Sequence, residues 1–93
     1  EIFFFLTQNP SAKLEVRSHT DSRGSKRYNL ELSRRRSQAV IDFIQARRPI
    51  PDDRFISWGF GEEYLLNDCV DRKPCGEEDH AINRRTEIKV VEN

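Results

Sequence analysis

One stretch constrains the fold more than any other. From Tyr28 to Arg47 the residues Leu32, Ala39, Val40, Phe43 and Ile44 recur with a period near 3.6, while Glu31, Arg34, Arg35, Gln38, Asp42 and Gln45 fall opposite. That is one long amphipathic helix, and the segments around it keep a different period. Ala12 to Ser18 alternates, with Ala12, Leu14 and Val16 on one face and Lys13, Glu15 and Arg17 on the other. Thr86 to Val91 alternates in the same way, with Ile88 and Val90 against Glu87 and Lys89, and Arg54 to Trp58 offers a shorter strand through Phe55, Ile56 and Trp58. Strands with one apolar face, separated by a helix, predict an α+β fold: a two-layer sandwich with helices on one face of a sheet.

The boundaries have chemical causes. Glu1 to Gln8 is apolar and stops at Asn9-Pro10, as a helix does before proline, so it reads as the end of a helix. His19 to Lys26 gathers Thr20, Asp21, Ser22, Gly24 and Ser25 and predicts a loop, the first place to look for function. Pro49 and Pro51 end the long helix, Gly59-Phe60-Gly61 predicts a turn, and Glu62 to Ile82 predicts a long polar loop. Trp58 and Phe60 are read as core and turn anchors.

With 93 residues the chain fits one domain over residues 1–93. Sixteen Lys plus Arg balance sixteen Asp plus Glu, so no overall field draws it to nucleic acid or to an anionic membrane. Its most apolar run, Ile2 to Leu6, is far shorter than the roughly 20 residues of a spanning helix, and the start lacks the basic region of a signal peptide. Cys69 and Cys75 sit in a loop-like composition where a nearby pair can close a small disulfide ring, which favours an oxidising compartment. Two free thiols, or a metal site recruiting His80, are the alternatives; the spacing of the latter matches no zinc template.

The sharpest feature is an arginine. Projected at about 100° per residue, Arg36 falls inside the apolar stripe between Leu32 and Val40, and Asn29 lies within about 20° of it. A guanidinium on a packed face must meet an anion. Asp21, in the loop before the helix, is the candidate, either in an internal salt bridge or in a shared pocket. In the pocket, Asp21 would take the ammonium and Arg36 the carboxylate of a small zwitterion.

His19-Thr20-Asp21-Ser22-Arg23-Gly24-Ser25, Tyr28-Asn29, Leu32-Ser33 with Arg36, Gly59-Phe60-Gly61-Glu62, and Asn83-Arg84-Arg85 before Glu87-Ile88 together resemble the C-terminal OmpA-like domain, over essentially the whole chain. The superfamily includes peptidoglycan-associated lipoproteins and flagellar stator proteins. The resemblance implies a periplasmic domain, attached to the outer membrane through other parts of a longer protein. It implies noncovalent binding of peptidoglycan through the meso-diaminopimelate of the stem peptide, without a cofactor or metal. Asp21 and Arg36 match the residues that grip diaminopimelate in the family; Thr20, Asn29 and Arg84 match positions near the ligand. Arg84 is preferred to Arg85 because it is in register with Ile88 and Val90. The cysteine pair with Glu77, Glu78, Asp79 and His80 is similar to Bacteroidetes-type versions of the domain. Measured against the family, the first strand and most of the first helix have no counterpart here, and an exposed sheet edge with Phe3 to Phe5 would allow a homodimer.

Other functions fit less well. An enzyme would use His19 with Asp21, or His80 with a cysteine, but the first pair has no evident nucleophile and the cysteines are expected to pair. Nucleic-acid binding has only Arg34-Arg35-Arg36 and Arg84-Arg85, and the three helical arginines fan around the axis. A periplasmic protein-interaction module without peptidoglycan affinity is the alternative reading.

Overall fold

A computed structural model describes residues 2–48, 50–71 and 73–92. Its elements run α1 (Ile2–Gln8), β1 (Ala12–His19), α2 (Lys26–Gln45), β2 (Phe55–Gly61), α3 (Glu77–Asn83) and β3 (Arg85–Glu92), with a 3-10 turn at Asp52–Arg54. Glu1 and Pro49, the latter one of the two prolines expected to end the long helix, lie outside the described residues.

The strands form a mixed sheet in the order β2-β1-β3. β1 pairs with β2 in parallel, Leu14 opposite Phe55 and Ser18 opposite Gly59, and α2 supplies the crossover that a parallel pair requires. β3 returns antiparallel on the other side of β1, with Val16 opposite Ile88 and His19 opposite Arg85. The expected α+β layering is therefore what the chain adopts.

The core follows the alternation. Leu6, Ala12 and Leu14 are buried together, with Ile44, Ile50, Phe55 and Val90 packed against them. Arg54 ties the end of α1 to β1 by donating to the carbonyls of Leu6, Asn9 and Ala12.

Further up the sheet the packing changes character. The buried residues of α2 are Asn29, Ser33, Ser37 and Ile41, an i, i+4 line that is mostly small and polar. Small side chains let the helix backbone approach the strand: a Cβ added at Gly59 would lie 2.3 Å from the backbone nitrogen of Arg34. The hydroxyls then bond across the layer. Ser37 Oγ donates to the carbonyl of Trp58 at 2.6 Å and lies 2.8 Å from Ser18 Oγ, itself 3.0 Å from Thr86 Oγ1 on β3. Ser33 Oγ accepts from the Gly61 N–H at 2.9 Å.

Three sequence expectations are corrected. Gly59-Phe60-Gly61 is not a turn but the end of β2, because glycine is what the close approach of α2 demands there. Trp58 is not a core residue; it is 46% exposed on the sheet face opposite α2, stacked on Phe60. The polar segment after β2 contains a helix, α3, whose apolar content is too low to give a periodic signal.

Candidate functional site

The loop between β1 and α2 gathers the charged residues. Ser25 caps α2, its side chain accepting from the Tyr28 N–H, and Gly24 supplies the positive φ of +88° that turns the chain into the cap. Asp21 is buried just upstream. Its Oδ1 accepts from the Arg23 backbone N–H at 2.9 Å, and its Oδ2 is 2.8 Å from Arg23 Nη2 and 2.9 Å from Arg84 Nη1. Glu77, the first residue of α3, holds both arginines from the far side: Arg23 Nη1 at 2.9 Å, and Arg84 through a second ion pair. Two carboxylates and two guanidiniums thus close a ring over the loop.

Burial of the Asp21 carboxyl would raise its pKa, but the hydrogen bonds from the Arg23 and Arg84 side chains and from the Arg23 N–H prevail, and the group titrates well below its ordinary value of 3.8. Glu77, largely exposed, is also lowered by its hydrogen bonds with Arg84 and Arg23. Glu62, at the end of β2, moves upward because of burial and the neighbouring Asp71 carboxylate.

Thr20 and Asn29 act on the loop's own main chain. Thr20 Oγ1 donates to the Asp21 carbonyl at 2.9 Å, and Asn29 Nδ2 faces the carbonyls of Arg23 and Asp21 at 3.0 and 3.3 Å and Glu62 Oε1 at 3.3 Å. The disulfide loop closes the other side. Cys69 and Cys75 are bonded, so neither sulfur is available as a metal ligand, and the Cys69 carbonyl accepts from Ser22 Oγ. Asn83 orders this loop from beneath, accepting from the Leu66 N–H at 2.7 Å and donating to Asn67 Oδ1 at 3.0 Å. A cleft of about 540 Å³ opens beside the ring, lined by Ser22, Arg23, Gly24, Lys73 and His80.

Arg36 is not where the helical projection put it. It is exposed, and among the described residues it makes no hydrogen bond or ion pair. The reason lies in the face α2 uses: contact runs through Ser33 and Ser37, so the packed face is rotated toward the hydroxyls and Phe43, on the apolar stripe, is 59% exposed. The anion expected to satisfy Arg36 is satisfied by Arg23 and Arg84 instead. Arg84 lies at the C-cap of α3 and not in β3, so the strand register used to prefer it to Arg85 does not apply. Arg84 meets Asp21, while Arg85 turns to Glu87 at 2.7 Å and to the Tyr64 carbonyl at 3.1 Å. His19 is buried against Phe60, ring centroids 5.4 Å apart, and burial lowers its pKa.

A sequence model of the OmpA family matches residues 1–74, about four-fifths of the chain. The chain belongs to the OmpA family. It is 37% identical over 86 residues to outer membrane porin F of Pseudomonas aeruginosa, a match covering 92% of this chain and 23% of that one. It is 34% identical over 65 residues to the peptidoglycan-associated lipoprotein of Brucella melitensis, covering 70% of this chain and 38% of that one. The domain therefore spans about a quarter to two fifths of the length of these relatives. The crystal structure of the peptidoglycan-associated lipoprotein from Burkholderia pseudomallei shares its fold, with a TM-score of 0.79 at 24% identity over 95% of this chain and 70% of that one.

The sequence reading missed Arg23 and Glu77, the other two members of the charged ring. Arg23 carried a usable signal, since an Asp whose side chain accepts from the N–H two residues on is a common loop device. Glu77 carried none; α3 brings it to the ring from a segment that reads as loop.

Proposed function

We propose that this domain binds peptidoglycan noncovalently through the meso-diaminopimelate of the stem peptide, and that in its parent protein it anchors the outer membrane to the cell wall from the periplasmic side. The observation that carries the proposal is Asp21: a buried carboxylate kept ionised beside a cleft, in a domain whose relatives include proteins named peptidoglycan-associated lipoproteins. In this reading Asp21 takes the ammonium of diaminopimelate. Arg36, an exposed guanidinium on α2, takes the carboxylate at the same centre, and Arg84 holds Asp21 in place. Thr20 and Asn29 fix the main chain that carries Asp21. The process is reversible binding, with no bond made or broken.

Calorimetry with a diaminopimelate-containing stem peptide, and a lysine-type peptide as control, tests it. Saturable binding of the first alone is expected, because lysine lacks the second carboxylate. Asp21→Ala should weaken binding by about 30-fold or more, the cost of removing one member of a desolvated charge pair, and Arg36→Ala, which removes an exposed cation, by a smaller factor. Equal binding of both peptides, or full affinity in both variants, would overturn the assignment. Binding to neither peptide would favour the protein-interaction reading.

A further inference from the structure

Three of the roughly four acceptor sites of the carboxylate proposed to receive a ligand are already taken, one on Oδ1 and both on Oδ2. Asp21 Oδ2 has Arg23 Nη2 at 2.8 Å and Arg84 Nη1 at 2.9 Å, so no side of that oxygen is left for an incoming ammonium at hydrogen-bond distance without a change of partner. The two arginines are not equally placed to yield. The Arg84 side chain is 32% exposed and that of Arg23 is 51% exposed, at the mouth of the 540 Å³ cleft.

The main chain beneath Arg23 is fixed from both sides. Asn29 faces the carbonyls of Asp21 and Arg23, and Ser22 is bonded to the Cys69 carbonyl of the disulfide loop. The Arg23 N–H holds Asp21 Oδ1 independently of the Arg23 side chain. Departure of the guanidinium would therefore leave the carboxylate oriented and the loop in place. A destination for it also exists: Glu77 Oε2 already accepts from Arg23 Nη1 at 2.9 Å. A side chain held between two carboxylates can release one and keep the other.

Building on the diaminopimelate reading, we infer that Arg23 is an internal competitor for the ligand. Its guanidinium occupies the ammonium subsite at Asp21 and is displaced toward Glu77 when an ammonium-bearing ligand enters. The exchange is a rotation of one side chain; no backbone opening is required. It replaces one cation by another at a partly desolvated carboxylate, so Asp21 is paired in both states and an uncharged ligand gains no entry. The internal pair sets a threshold that a ligand must exceed through its other contacts, which selects ligands offering a carboxylate as well as an ammonium.

Arg23→Gln removes the competing charge and keeps the backbone N–H. Calorimetry with the diaminopimelate stem peptide should show binding about three- to tenfold tighter than wild type, the range expected for releasing a half-exposed ion pair. Glu77→Gln removes the negative charge that would hold the displaced guanidinium and should weaken binding by a similar factor in the presence of Arg23. In Arg23→Gln/Glu77→Gln the effect of the Glu77 change should shrink to the part that acts through Arg84, a coupling that a merely structural role for Arg23 would not produce. Unchanged or weaker binding in Arg23→Gln would overturn the inference and make Arg23 a bystander or a direct ligand contact.

A second probe separates this outcome from failure of the peptidoglycan reading. Methylammonium chloride carries the ammonium alone, and the carbon-13 shift of the Asp21 carboxyl reports its arrival, with sodium chloride at equal strength as control. Arg23→Gln should respond at lower methylammonium concentration than wild type whether or not either protein binds the stem peptide. An identical response in the two proteins would overturn the competitor role even if the peptide binds.

Discussion

The two halves of α2 pack on the sheet by opposite means. Toward its C-terminal end Ile41 is buried and Ile44 packs, with Phe55, against the apolar cluster of Leu6, Ala12 and Leu14, held by area and shape. Toward its N-terminal end Asn29, Ser33 and Ser37 meet Ser18, Gly59 and Gly61 through hydrogen bonds and near backbone contact. The apolar half supplies the non-directional free energy that keeps the layers together. The polar half contributes less net free energy per contact, but each bond fixes one atom against another, and it is this half that ends in the Asp21 loop. Precision is placed next to the proposed ligand site.

This contrast can be broken from the apolar end with the largest effect. Leu14→Ala should cost about 2–5 kcal/mol of stability, as deletions from a packed core do, while the fraction that remains folded keeps its ligand affinity; denaturant unfolding and calorimetry measure the two. A drop in affinity with stability would mean that the halves are not separable. Gly59→Ala comes next. Its new methyl would press on the Arg34 backbone and push α2 off β2, costing about 1–3 kcal/mol and, unlike Leu14→Ala, weakening ligand binding as the helix start shifts. Ser37→Ala should be smaller in stability, about 1–2 kcal/mol, because it leaves the Trp58 carbonyl and Ser18 hydroxyl short of one partner. Amide hydrogen exchange should then rise along the upper part of β2 and not around Leu14.

The smallest effect is electrostatic. The folded-state pKa of Asp21 lies below its ordinary value of 3.8, so the stabilisation from its arginine pairs is complete above that pH and is lost as pH falls through the lowered folded value. Wild type should therefore lose stability more steeply than Asp21→Asn between about pH 4 and pH 2. Parallel curves would show that the ring contributes nothing to the folded state.

Much of this was legible in the residues. Period-2 alternation in Ala12 to Ser18 and Thr86 to Val91 identified the strands, and the long period-3.6 segment identified α2, because burial on one face of a sheet enforces those patterns. The loop at Asp21 was marked by its turn chemistry, whereas the register argument for Arg84 assumed a strand that begins only at Arg85. Arg36 shows where the pattern misled. Hydrophobicity located the apolar stripe of α2, yet the helix seats itself on serines, since close approach to glycines rewards small side chains over apolar ones.

Local sequence thus determined most element types, the helix-facing side of β1 and the candidate carboxylate, all consequences of short-range periodicity and turn propensity. The rotation of α2, the exposure of Trp58 and Arg36, and the meeting of Asp21, Arg23, Glu77 and Arg84 were decided only by the tertiary structure. Asp21 and Arg84 are 63 positions apart and come together because β3 runs antiparallel to β1 and begins where β1 ends, Arg85 opposite His19. Charge pairing across such a separation depends on where two elements end in space, and no local pattern of residues encodes that.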